Sequence, residues 1–345
     1  MRRKILIGSL ILIFGILSVL MLTSIAPGEA LGQGIFVGVG LIVYVLMQMP
    51  RPVFFRRSIP YIGGTTIFLL FLTLLLGRLS HGAVRWLPVG PFHIQMSEFA
   101  KPVLALFLSW FLMKFPLTNQ RRVISFAFLA GLFFFPVFLE PDLGSALVLL
   151  ATSCALAYVA IRKKRLLIPW LFFAVLLIFL GWNLVLYQYQ KDRILSFIGL
   201  GGGTSYNAQQ AYITVGSGKL TGRGLGHGVQ SQLKFLPEYH TDFFFASIAE
   251  ELGYLGVLLL FCLYGLLFYA LFSLPHRSSL YSRFTTIGFA SALFFQMAVH
   301  MGMNMKLFPI TGIPLPLLSS GGSSFLAICF GLGLIVRLCD ERAGG

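Results

Sequence analysis

Ten apolar stretches run along the chain, at roughly 5–26, 31–49, 58–77, 97–113, 123–139, 143–161, 166–187, 243–273, 284–305 and 317–337. Most reach the ~20 residues that a helix needs to cross the hydrocarbon core of a bilayer. Those at 31–49 and 97–113 are shorter or more polar, so their boundaries are soft. Only 11% of residues are charged, against about 25% in a soluble domain. The expected fold is therefore an all-α integral membrane protein, a polytopic bundle of about ten transmembrane helices, organised as a single domain over 1–345.

The first stretch follows Arg2, Arg3 and Lys4 and has the look of a signal peptide, yet it runs uncharged from Ile5 to Pro27 without a small-residue cleavage site. It reads as a retained helix. Basic residues set the expected orientation, because cytoplasmic loops carry the excess of Lys and Arg. With the N-terminus inside, 17 of the 26 basic residues fall on the inner side, including Arg51, Arg56, Arg57, Arg121, Arg122 and the run Arg162–Arg165. Ten helices then put both termini in the cytoplasm. The acids show the opposite bias: only Asp340 and Glu341 are expected inside. The net charge of +15 is thus a record of topology and gives no reason to expect nucleic acid as a partner. Cys154, Cys262, Cys329 and Cys339 have neither metal nor redox spacing.

Most connections are short. The exception is 188–241, expected as one large extracytoplasmic loop, with GLGGG at 199–203 and GSGKLTGRGLGHG at 216–228. Uninterrupted loops of this length are usually functional. A shorter outer loop covers 78–96, and a third, 306–316, leads into SSGGSS at 319–324. No internal repeat is evident, which speaks against an inverted-repeat transporter.

The acids are the informative residues. A carboxylate at a membrane boundary or inside a span is costly and is a functional candidate by default. Asp242 falls at the mouth of the helix expected from Phe243, where it has a capping role open to it. Glu250 and Glu251 lie deeper in the same helix. Asp242 and Glu250 are eight residues apart, near one face, which suggests a polar channel leading from Asp242. Glu98 and Lys101 are three apart and share a helix face; they form either a structural ion pair or the lining of a polar cavity where Lys101 meets an anion. Asp142 in Glu140-Pro141-Asp142 is placed to cap a helix or to line a cavity. The glycine run at 216–228 fails as a phosphate loop, since Lys219 precedes Leu220 where the motif needs Ser or Thr. It is a flexible turn, or a backbone surface that approaches a sugar or phosphate with help from Lys219 and Arg223. His227 and His240 match no zinc spacing. A hard divalent ion, magnesium or manganese, on carboxylate and phosphate oxygens suits this region better, and no residue set is assigned to hold it.

These residues coincide with extended matches to a known family. RWLPVGPFHIQMSEFAK at 85–101, EPDLGSA at 140–146, the segment from Tyr206 to Gly253, and FPITGIPLPLLSSGGSS at 308–324 resemble the signature segments of the SEDS proteins (shape, elongation, division and sporulation). The wording of SQLKFLPE and TGIPLPLLS is closer to the elongation (RodA-type) branch than to the division (FtsW-type) branch. Met96, Glu140 and Ser320 depart from the residues usual in the family, where proline, glutamine and tyrosine stand. The resemblance implies a peptidoglycan glycosyltransferase of the bacterial cytoplasmic membrane that polymerises lipid II, the undecaprenyl-pyrophosphate-linked disaccharide peptide, at the outer face. It implies as partners a class B penicillin-binding protein and other membrane proteins of the elongation complex. The family's catalytic aspartate falls on Asp242 and its intramembrane pair on Glu98 and Lys101. Substrate contacts are expected from that pair and Asp142, from Lys219, Arg223 and His240 around the long loop, and from Glu250 and Ser323. Two readings from other classes stand beside it, a flippase for lipid-linked precursors and a non-catalytic scaffold.

Overall fold

The computed structural model describes residues 2–80, 83–89, 92–180, 182–183, 186, 188–198, 206–233, 235–274 and 279–340. Its elements in chain order are α1 (Arg2–Ile25), α2 (Pro27–Leu46), α3 (Pro52–Leu76), β1 (Arg78–Ser80), β2 (Ala83–Val89), β3 (Phe92–Ile94), α4 (Met96–Lys114), α5 (Gln120–Leu139), α6 (Leu143–Ala160), α7 (Leu167–Leu180), α8 (Gln188–Phe197), α9 (Tyr206–Ser217), α10 (Val229–Gln232), α11 (Phe244–Ser273), α12 (Leu280–Asn304) and α13 (Gly322–Cys339).

Among the described residues, nine helices are long and apolar enough to cross a membrane: α1 to α6 and α11 to α13. They match nine of the ten expected stretches, so the chain is a multi-pass membrane protein. The tenth, expected at 166–187, is α7, which has 14 residues and so a length of about 21 Å, with 181, 184, 185 and 187 outside the described residues.

Two segments expected on the outer side differ from their expectation as plain loops. Residues 78–96 hold a three-stranded antiparallel meander in the order β1-β2-β3, with Leu79 opposite Val84 and Leu87 opposite Ile94. The alternating apolar residues in LPVGPFHI fit a strand period. The expected uninterrupted loop 188–241 carries α8, α9 and α10. The first of these is charged, reading QYQKDRILSF. GLGGG at 199–203 lies outside the described residues.

The chain divides into two compact units. The first comprises residues 1–42, 188–270 and 296–329, and the second 43–187, 271–295 and 330 onward. In the second, α3 to α7 pack around aromatic side chains. Phe107 meets Phe133 at 5.7 Å between ring centroids, and Phe126 meets Trp170 edge-on at 5.5 Å. Outward residues such as Phe68, Phe128 and Phe172 are exposed and apolar, as a lipid-facing surface requires. Hydroxyls within spans turn back onto the preceding helical turn: Thr73 bonds Leu69 O, Ser109 bonds Ala105 O, and Thr152 bonds Val148 O. With no water in the bilayer core, this local bond is how a hydroxyl avoids an unsatisfied state.

Helix starts follow the capping chemistry of the sequence. Pro52 opens α3, where its missing N–H would have had no partner. Asn119 caps α5 by accepting from Arg122 N at 3.0 Å. Asp142 caps α6.

Candidate active site

In the first unit, the chain approaches α11 through a tight turn. Glu238 O accepts the N–H groups of Thr241, Asp242 and Phe243 at 3.2, 3.0 and 3.2 Å. Leu236, Phe243 and Ala246 are buried together with Ala211 of α9 and anchor the turn from its apolar side. That anchor leaves Asp242 half-buried at the helix mouth, as expected. The three carbonyls at the turn are held from elsewhere. His240 O accepts from Ser320 N at 3.0 Å, Thr241 O from Ser319 Oγ at 2.9 Å, and Asp242 O from Asn304 Nδ2 at 3.1 Å. Across from the Asp242 carboxylate is Gly312, with φ +72°; a Cβ there would stand 3.5 Å from Asp242 Oδ2.

Ser319 was legible only as part of SSGGSS, and Asn304 as one polar residue near the end of an apolar stretch. No spacing rule relates either to Asp242, since they stand 77 and 62 residues further along the chain. An uncharged amide in a span, costly unless bonded, was the available signal for Asn304.

Glu250 departs from its expectation. Rather than lining a polar channel that runs from Asp242, its carboxylate is fully buried and closed off by α10. Oε1 accepts from Gln230 N at 2.9 Å, and Oε2 from Ser231 N at 3.2 Å and Ser231 Oγ at 2.9 Å. It therefore serves the amides that open α10, the favourable place for a carboxylate at a helix start. Glu251 accepts from Ser24 Oγ of α1 at 2.7 Å and from Gly226 N at 3.2 Å. Both acids hold the loop in place.

The loop's course has a backbone cause. Gly253 sits inside α11 at φ 67° and ψ −164°, which breaks the helical ladder. The carbonyls of Glu250 and Glu251 instead take Arg223 N at 2.9 Å and Gly224 N at 3.0 Å, while Tyr254 N and Leu255 N donate to Lys219 O and Leu220 O at 2.9 and 3.1 Å. The glycine-rich segment thus supplies the partners that the kink removes. Contact is so close that a Cβ at Gly222 would fall 2.1 Å from Glu251 O. So the run 216–228 is a docked segment more than a flexible turn. Lys219 and Leu220 are exposed on it, and the Arg223 side chain is 42% exposed with Nε 3.9 Å from Glu250 Oε1. His240 packs edge-on against Tyr239, and its Nδ1 is buried without a hydrogen bond among the described residues. Ser323 is buried in the first turn of α13.

In the second unit, Lys101 Nζ lies 2.6 Å from Glu98 Oε1, with side chains 5% and 2% exposed. The two are an ion pair within α4. Asp142, open between capping and lining a cavity, does the first. Its Oδ1 accepts from Ser145 N at 3.1 Å, and its Oδ2 from Gln95 Nε2 at 3.0 Å and Ser97 Oγ at 3.2 Å. The 1% exposed carboxylate therefore ties the start of α6 to the start of α4, one turn from Glu98. Among the described residues no three His, Cys, Asp or Glu side chains come together as a metal site.

In sequence and in fold the chain is similar to known proteins. The sequence model of the FtsW/RodA/SpoVE family, described as cell cycle proteins, matches residues 2–343. The chain is 32% identical over 315 residues to the peptidoglycan glycosyltransferase MrdB of Escherichia coli, covering 89% of this chain and 84% of that protein. It is 34% identical over 323 residues to a probable peptidoglycan glycosyltransferase FtsW of Coxiella burnetii, covering 89% and 85%. Among solved structures, it is similar to the rod shape determining protein RodA of Thermus thermophilus, with a TM-score of 0.74, 29% identity, and 98% and 97% of the chains covered. It is also similar to a chain of a peptidoglycan synthase complex studied for its coordination of polymerization and crosslinking, with a TM-score of 0.81, 30% identity and 98% of both chains covered.

Proposed function

The chain belongs to the FtsW/RodA/SpoVE family of cell cycle proteins and is a peptidoglycan glycosyltransferase, and on that premise we propose that it polymerises lipid II at the outer face of the bacterial cytoplasmic membrane, with Asp242 as general base. The observation that carries the assignment is a contrast among the acids of the first unit. Glu250 and Glu251 are 0% and 1% exposed, whereas Asp242 is half-buried at the helix mouth. A base must be reachable by the group whose proton it takes.

The acceptor sugar hydroxyl attacks the anomeric carbon of the donor, forming the new glycosidic bond. The donor's bond to pyrophosphate breaks, and the lipid pyrophosphate leaves with the electron pair. Asp242 receives the hydroxyl proton, a role worth ~10²–10⁴-fold in rate. Charge grows on the departing phosphate and calls for a cation, but Arg223 and Lys219 dock against α11 at Glu250 and Tyr254, about 12 and 18 Å along the helix from Asp242, so neither is assigned to it. A bound divalent cation would supply the same charge stabilisation. No residue is assigned to hold it, since no three His, Cys, Asp or Glu side chains come together among the described residues and Asp242 is given the base's role. A class B penicillin-binding protein is the proposed partner, supported by the likeness to a synthase chain that works with a crosslinking activity. Both an MrdB and FtsW proteins are similar to this chain at 32–34% identity. The assignment to elongation over division is therefore proposed on the SQLKFLPE and TGIPLPLLS wording.

The test is glycan-strand formation from purified lipid II, with the partner present and transpeptidation blocked. Asparagine caps a helix about as well as aspartate but accepts no proton. Asp242→Asn should fold and reach the membrane, yet lose polymerisation by ~10²-fold or more. A folded Asp242→Asn protein with full activity would defeat the assignment. The same assay with a chelator tests the cation: a rate indifferent to EDTA would remove it.

A further inference from the structure

An ordinary helix start at this site would draw Asp242 into α11. Its carbonyl would accept the N–H of Ala246, four residues on, as Phe243 O accepts Ser247 N at 3.1 Å one residue later. That one bond is missing, and the side-chain amide of Asn304 occupies its place. Ala246 N donates to Asn304 Oδ1 at 3.2 Å, and Asn304 Nδ2 donates to Asp242 O at 3.1 Å. Nδ2 also donates to His300 O at 2.7 Å. Both amide hydrogens and the amide oxygen are therefore engaged. The opposite orientation would set an NH₂ group against the Ala246 N–H. Asn304 is fully buried, so its position is determined by these three bonds. A side chain inserted into the helical ladder is a recognised cause of local opening.

Ser319 acts on the preceding residue. Its hydroxyl donates to Thr241 O at 2.9 Å and accepts from Leu315 N at 2.8 Å. The second bond belongs to the segment that follows Gly312, the glycine facing the Asp242 carboxylate. One hydroxyl thus ties the turn that carries the acid to the strip of chain opposite it.

We propose that Asn304 and Ser319 are positioning residues for the general base. Asn304 keeps Asp242 out of the first turn of α11, and Ser319 holds it in register with Gly312, the side from which the acceptor hydroxyl comes within reach of Oδ2. The proposal builds on the general-base role of Asp242. Neither residue contacts the reacting atoms. Their effect is on the geometry of proton transfer, where a misplacement of 1 Å can cost about 10²-fold.

A structural anchor and a positioning residue respond differently. In Asn304→Ala, Asp242 O and Ala246 N are freed to bond one another, so the helix recovers its missing bond while the acid turns inward. The variant should hold its unfolding midpoint near that of the parent protein, keep KM for lipid II within about twofold, and lose kcat by about tenfold or more. Ser319→Ala should behave alike, and Ser319→Thr, which keeps the hydroxyl, should restore most of kcat. Asp242→Asn is measured in parallel. If it is inactive while Asn304→Ala and Ser319→Ala retain kcat, the positioning roles fail and the base stands. If Asp242→Asn is fully active, the base assignment falls and takes this proposal with it. Loss of activity that only tracks loss of folded protein, or a raised KM at constant kcat, would also overturn the proposal.

Discussion

At the scale of single residues, the acids of this protein differ by what surrounds them rather than by type. Glu98 is neutralised within its own helix by Lys101 at 2.6 Å. Removing one partner leaves an uncompensated buried charge, which costs ~3–5 kcal/mol in comparable pairs. Glu98→Ala and Lys101→Ala should each lower the amount of folded protein sharply, and the double variant should be milder than the sum. A double-mutant cycle in detergent checks this; strict additivity would show that the pair is not coupled. The pair could be read from sequence because three residues of separation decide it locally. Glu250 could not, because Ser231 and Gln230, which close its carboxylate, come from a loop that must first dock. Asp142 lay between these cases: Ser145, its local capping partner, is three residues on, whereas Gln95 and Ser97 are reached only through packing.

At the scale of elements, the break in α11 and the glycine-rich run 216–228 form one device. The kink at Gly253 opens the carbonyls of Glu250 and Glu251, and the loop backbone fills them. Two glycines of the loop allow a graded test. Gly226 has φ +77° but open space where a Cβ would go, so Gly226→Ala meets only the left-handed backbone strain, about 1–2 kcal/mol. Gly222 has φ +81° and a Cβ there would fall 2.1 Å from Glu251 O, so Gly222→Ala carries the strain and also forces the loop off α11. Limited proteolysis should cut the 216–228 segment much faster in Gly222→Ala than in Gly226→Ala, with the helical content of the spans retained. Equal cutting in the two variants would show that the loop is not docked through Gly222. From sequence, the glycines indicated that tight turning or close approach occurs here; the partner of Gly222, Glu251, was hidden 29 residues away in a helix.

At the scale of the whole molecule, the expected orientation in the membrane rests on charge. A ten-span topology with the N-terminus inside puts 17 of 26 basic residues on one side, and it predicts that the glycine-rich loop faces outward and the α4–α5 connection inward. In a background lacking Cys154, Cys262, Cys329 and Cys339, single cysteines at exposed Leu220 and Thr118 test it. A membrane-impermeant thiol reagent applied to intact cells should label Leu220→Cys and spare Thr118→Cys. The reverse pattern would invert the topology.

Nine spans, their ends to within six residues, and the position of Asp242 at a helix mouth could all be read along the chain. Each depends on a property local in sequence: a run of apolar residues long enough for the bilayer, a capping residue, a change from polar to apolar. The strand meander at 78–94 and the helices inside 188–241 were less visible, because they are short and their apolar patterns are brief. What remained for tertiary structure was the assignment of partners. The acids at 250 and 251 lock a loop, the amide at 304 splits a helical hydrogen bond, and the hydroxyl at 319 grips the turn bearing Asp242. Hydrogen bonds have a reach of about 3 Å, so which polar groups meet is settled only when segments distant in the chain have packed.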